Sequence, residues 1–300
     1  MPAVSSAAFT RLNDGSDAAP RLRVQHSLWS LGKLPMNAPV EWTLDEKFAR
    51  VRAAGFEGVE CFLPADGSTE QPIVDALKRH ELRLVLGHRP FTHEAVRQTI
   101  AQAARLGADF VFAQPADAFT PLDDIVALIE AGCQAANAAN IPFFAETHRN
   151  NYTENLPQTL ALIERIPNIL FTGDLSHFVV VGEFYGWKEE RAIDRMMPVL
   201  ERIAHLHGRI GNGEQVQVDV GDGTGQTAQF FVALWETAMR HWRKNAQPGD
   251  IFPFASELGP PRYAITLPDG REFSDRWEQS LVMKRLAEQA WAQSAQAATA

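Results

Sequence analysis

Eight residues able to do acid–base or metal chemistry recur along this 300-residue chain: His26, Glu60, His88, Gln114, Glu146, Asp174, His207 and Glu257. From Glu60 onward the intervals are 28, 26, 32, 28 and 33 residues, then 50. Each residue closes a short apolar run. Glu146, Asp174, His207 and Glu257 together offer hard oxygen donors and one imidazole. That mixture suits one divalent ion: Mn2+, Mg2+, Co2+ or Zn2+. Three carboxylates crowded together without a cation would repel one another until one took a proton. A dication removes that conflict.

Such spacing needs a scaffold that returns the chain to one rim about every 30 residues. The apolar runs supply it. The expected strands are Leu22 to Leu28, Gly58 to Phe62, Leu82 to Leu86, Asp109 to Ala113, Ile141 to Ala145, Ile169 to Thr172, Ile203 to Leu206 and Ile251 to Ser256. An amphipathic stretch follows each one. Gly55 and Gly107 stand where helices need a C-terminal stop. Eight strand-helix units predict an α/β fold, a single-domain (β/α)8 TIM barrel over residues 21–300. Residues 1–20 read as a flexible N-terminal arm. An open doubly wound sheet would carry a glycine-rich phosphate turn after its first strand. The turn here, HSLWSLGKLP, has none.

The motifs FFAETHR, FTGDLSH, HLHGRIGN and FASELGPP resemble those of the xylose isomerase-like TIM-barrel superfamily, in its sugar and sugar-phosphate isomerase/epimerase branch. The resemblance spans about residues 22 to 290 and implies one divalent cation held by Glu146, Asp174, His207 and Glu257. It also implies that His177 lies beside the substrate. His205 and His207 share one face of their strand. His207, nearer the carboxyl end, is the preferred ligand. The implied reaction is isomerisation or epimerisation of a sugar or sugar-derived keto or hydroxy substrate by proton transfer. Glu146 and Glu257 would act on a metal-stabilised enediolate. The hydride-shift route normally uses two metals and a lysine, and no lysine stands at a strand end. A lyase or dehydratase on a keto sugar, keto polyol or 3-keto-glycoside needs the same centre and is the alternative. An endonuclease of the same superfamily fits less well, because Gln114 replaces a histidine. A sugar binder without turnover is the remaining reading. The loops GEQVQVDVGDG and GPPRYAITLPDG depart from the simpler ketose epimerases.

Around this centre, Glu60, His88 and His26 are candidate substrate ligands, each weighed against a structural role. Arg89, Arg149, Arg209 and Arg262 follow strand ends. They would either grip a substrate carboxylate or phosphate or pair with the acidic rim. Of these, Arg209 and Arg149 are the preferred substrate contacts. The run FVVVGEFYGW is a candidate flap or oligomer contact. A net charge of −9 argues against a nucleic-acid partner. Two cysteines suit a reducing, cytoplasmic compartment, and no run of about 18 apolar residues points to a membrane. The expected partner is a small carbohydrate-like molecule, with a homodimer or homotetramer expected by analogy.

Overall fold

A computed structural model describes residues 4–64, 66–184 and 189–296, without the side chains of residues 189 and 190. Its centre is a closed barrel of eight parallel strands in sequence order. The strands are β1 (Arg21–Ser27), β2 (Gly58–Phe62), β3 (Arg83–His88), β4 (Val111–Ala113), β5 (Phe143–Thr147), β6 (Phe171–Gly173), β7 (Ile203–Gly208) and β8 (Ile251–Ser256). Strand β8 pairs with β1 from Arg21↔Ile251 to His26↔Ser256, which closes the ring. The expected strands are all present. Those at β4, β5 and β6 begin two residues later than expected.

The covering helices are α1 (Leu44–Ala53), α2 (Glu70–Arg79), α3 (His93–Leu106), α4 (Leu122–Ala139), α5 (Leu156–Arg165), α6 (Leu175–Val181), α7 (Glu189–Leu200), α8 (Gln226–Arg243) and α9 (Arg276–Gln296). Local chemistry sets their ends. Thr43 and Glu46 form a reciprocal capping box at the start of α1. Gly107 ends α3 at φ 69°, a left-handed conformation that glycine adopts freely. The start of the FVVVGEFYGW run is helical in α6 rather than loop-like, and residues 185–187 of it lie outside the described residues. No helix among the described residues is long and apolar enough to cross a membrane.

Alternation along each strand sorts side chains into two layers. The outward set joins the helices in one large core that includes Cys61. Inside the barrel a second cluster holds Val85, Phe110, Phe112, Phe144, Ala204 and Ile251. Leu12, from the segment expected to be a loose arm, belongs to this inner cluster and is 7% exposed. The Ile251 amide donates to the Leu12 carbonyl, and Asn13 bridges to Asp250. The arm reads as loose because it is rich in Ala, Ser and Asp and has no continuous apolar run. Leu12 closes the amino-terminal floor of the barrel, while Ala7 and Phe9 pack against the outer core.

Candidate metal centre

The carboxyl ends of β2, β5, β6, β7 and β8 deliver Glu60, Glu146, Asp174, His207 and Glu257 to one buried spot, each at most 4% exposed. One donor atom each from Glu146, Asp174, His207 and Glu257 lies within 4.8 Å of the others. An octahedral ion with ligand distances of about 2.1 Å sets neighbouring donors about 3 Å apart and opposite donors about 4.2 Å apart. His207 Nδ1 lies 3.2 Å from Glu146 Oε1 and 3.0 Å from Glu257 Oε2, the spacing of neighbouring donors.

Each donor is aimed by a neighbour. Asp174 caps α6: its Oδ1 accepts from the Ser176 amide at 3.1 Å and from the Ser176 hydroxyl at 2.6 Å. That leaves Oδ2 free to face the centre, where Arg209 Nε lies 3.0 Å away and His177 Nε2 3.4 Å away. His207 Nδ1 sits 3.2 Å from Glu146 Oε1 and 3.0 Å from Glu257 Oε2, and its Nε2 sits 3.2 Å from Glu60 Oε2. Glu146 Oε2 and Glu60 Oε1 are buried without a hydrogen-bond partner. Lone pairs left bare in a dry site cost free energy unless something positive meets them. The donor chemistry and these bare oxygens fit a dication.

The charges respond to one another. Burial disfavours the Glu257 carboxylate, yet the His207 and Arg209 charges outweigh it and hold its pKa at about 2. Burial likewise works against Asp174, and His177 and Arg209 bring it well below the usual carboxylate range. Burial raises Glu60, with His207 only partly offsetting it. His207 is opposed by burial but driven well above the ordinary histidine value by Glu257, Glu60 and Glu146. Burial and then the His207 charge depress His205, which stays neutral.

A β-bulge sets up the two histidines of β7. Thr172 aligns with His205 while Phe171 aligns with Ile203, so Ala204 is an extra residue. His205 stands below His207, with its Nδ1 3.1 Å from Thr172 Oγ1 and its ring 4.9 Å from that of Phe110. Only His207 reaches the four-residue cluster. His205 shares a lower one with Glu60 and His207.

Two expected residues do not reach the centre. His26 faces the helix layer, 5.2 Å from the Phe56 ring and 5.8 Å from the Trp277 ring. His88 also points outward, because Gly87 takes the inward position. A Cβ on Gly87 would come within 2.5 Å of Phe112 and 2.8 Å of Phe62. In both strands, alternation places the final histidine on the wrong face. Glu60 does reach the centre, but its partner there is His207. Arg209 is present too, tied to Asp174 and Glu257 at the edge of the cavity that it helps to line. His177 is fully buried in the first turn of α6. Arg149 sits higher, 4.7 Å from the Tyr263 ring centroid.

A cavity of about 750 Å3 opens above the centre, within the range of small-ligand sites. Its wall includes Trp29, Phe62, Gln114, His148 and Tyr263. Of these, Phe62, His148 and Tyr263 were not singled out from the sequence. His148 follows Glu146 by two positions, and its ring lies 4.0 Å from that of His177. Burial, then the His177 charge, lowers its pKa to about 4. Gln217 was also missed. Its Oε1 accepts from Arg209 Nη1 at 3.0 Å and from the Gly259 amide at 2.7 Å, lacing the loops after β7 and β8 together.

The model of the xylose isomerase-like TIM barrel family matches residues 48–244. The chain belongs to the xylose isomerase-like TIM barrel family. The match contains Glu60, Glu146, Asp174 and His207 and ends before Glu257. Solved structures agree on the barrel. A D-tagatose 3-epimerase-like protein is 15% identical with a TM-score of 0.56, covering 89% of this chain and 98% of its own. A 3-keto-D-glucoside 4-epimerase from E. coli is 12% identical with a TM-score of 0.54, covering 89% and 99%. A xylose isomerase-like TIM barrel protein from Mycobacterium smegmatis, in complex with magnesium, is 13% identical with a TM-score of 0.56, covering 93% and 98%. At these identities the likeness shows the fold alone. A comparison with curated protein sequences found no match.

Proposed function

We propose that this xylose isomerase-like barrel is a divalent-metal-dependent enzyme that isomerises or epimerises a small polyhydroxylated keto or hydroxy substrate. The observation that carries this reading is the convergence of Glu146, Asp174, His207 and Glu257 within 4.8 Å under an open cavity. Two of the fold neighbours are an epimerase and an epimerase-like protein, and a third holds magnesium.

The four residues would hold the cation, which when bound acts as a Lewis acid on a carbonyl and the neighbouring hydroxyl. Glu146 is the candidate base: its Oε2 is buried and carries no hydrogen bond, so its lone pair is available for a proton. Glu257 comes from the other side of the ring of strands and is the candidate for returning the proton. Glu60 orients His207. With the cation bound, a proton on Nε2 donated to Glu60 would fix the imidazole and leave the Nδ1 lone pair for the ion that Glu146 and Glu257 share. On this reading Glu60 supports the ligand imidazole rather than contacting substrate.

Elimination from a keto sugar would begin with the same proton removal. The two reactions separate in D2O. A screen of keto sugars, polyols and their acids with metal-loaded protein should show solvent deuterium entering the substrate carbon skeleton without loss of a leaving group. A dehydrated product instead would establish the lyase reading. Glu146→Gln should abolish the exchange, by at least about a thousandfold, while keeping the fold. Purified chain that takes up no stoichiometric metal, or turnover untouched by a chelator, would refute the reading.

A further inference from the structure

The mouth of the cavity is basic although the chain as a whole carries −9. Arg89, Arg209 and Arg262 line it, and Glu257 is the one carboxylate in its wall. Arg209 already neutralises Glu257, with 2.8 Å between Nη2 and Oε2. No carboxylate among the described residues pairs with Arg89, Arg149 or Arg262. Arg89 rests on the Phe62 ring at 5.6 Å. Arg149 and Arg209 each lie 4.7 Å from the centroid of one ring, Tyr263. An aromatic ring accepts cations on its faces but cannot cancel their charge. The pairing with the acidic rim that would give these arginines a purely structural role is therefore missing for three of the four.

Arg262 adds an independent observation. Its φ is +103°, a backbone region that favours glycine. An arginine is held there, in the wall of the cavity, in spite of the strain. Backbone strain of this kind clusters at ligand clamps. The residues are arginines rather than lysines, which suits forked contacts to planar or tetrahedral oxyanions.

We propose that the substrate bears a carboxylate or a phosphate, which Arg262 and Arg89 receive at the mouth while its hydroxylated end lies over Glu146 and Glu257. This deepens the proposed function and rests on it for the orientation of the substrate. Binding of the anion itself does not need turnover.

The test is calorimetric titration of the full-length, magnesium-loaded chain with D-glucose, D-glucuronate and D-glucose 6-phosphate. One charged sugar should bind at least about tenfold more tightly than glucose. Preference for glucuronate identifies a carboxylate, and preference for glucose 6-phosphate identifies a phosphate. Arg262→Gly and Arg89→Ala should each erase about tenfold of that preference. Arg262→Gly should also leave the melting temperature unchanged or raised, because it relieves the backbone. A charged sugar bound no better than glucose, or a preference intact in Arg262→Gly, overturns the proposal. Metal content measured on the same samples keeps this result separate from failure of the metal centre.

Discussion

His207 has no free side. Both ring nitrogens face carboxylates, Nδ1 toward Glu146 and Glu257 and Nε2 toward Glu60. A ligand imidazole whose other nitrogen is unsupported can rotate or present the wrong tautomer, and losing such a partner typically weakens metal binding about 10- to 100-fold. Glu60→Gln should therefore lower metal affinity in that range while Glu146, Asp174 and Glu257 remain in place. The measurement is competition with a fluorescent chelator, with circular dichroism on the same sample to show that the barrel persists. Affinity equal to wild type would return Glu60 to a role in substrate contact.

At the scale of the element, the strand pattern explains which residues the sequence revealed. Strands β5 to β8 end in Glu146, Asp174, His207 and Glu257, whose motifs and spacing were legible. In β1 and β3 the facing of the histidine was not legible, because His26 and His88 near the strand ends look the same in sequence whether they face the barrel or the helices. In β3 the inward residue is Gly87, which has no side chain to betray the register. The bulge at Ala204 leaves no residue-type signal either. Asp174 as the cap of α6 was hidden because the apolar run after it reads equally as loop, helix or flap. The outward position of His26 has a measurable consequence at the contact of β1 with α9. Burial holds its pKa at about 4, and the nearby Arg276 charge pushes the same way. Its Nδ1 lies 3.0 Å from the Ser27 carbonyl. As pH falls below the unfolded value of about 6.5, the unfolded chain takes the proton first, so stability drops until the folded pKa is reached. His26 alone should remove roughly 2 kcal/mol between about pH 7 and pH 5. Urea unfolding at the two pH values should show that loss in wild type and a smaller one, by about that amount, in His26→Phe. Equal losses would mean that the imidazole is hydrated in the native state.

At the scale of the whole molecule, the barrel divides its labour between two ends. Carboxylates, histidines and arginines gather at the carboxyl end of the strands, where such barrels hold their chemistry. The amino end is closed by aromatic and aliphatic side chains, with Arg23 paired to Asp109 beside them. Leu12 completes that floor from outside the barrel repeat, and the arm around it is fastened at three further points. The Ser5 amide donates to the Arg165 carbonyl, Asn137 to the Ala8 carbonyl, and Asn13 to Asp250. A freely moving arm would make Leu12→Ala nearly neutral. A side chain 7% exposed and packed into the inner cluster predicts a loss of about 2–5 kcal/mol instead, from lost apolar burial and the cavity left behind. Because the donors lie at the opposite end of the strands, metal affinity in Leu12→Ala should stay within about twofold of wild type under native conditions. Denaturant unfolding and chelator competition on one preparation check both halves. A drop in metal affinity that tracks the drop in stability would show that the floor and the centre are one cooperative unit rather than two ends of a rigid stave.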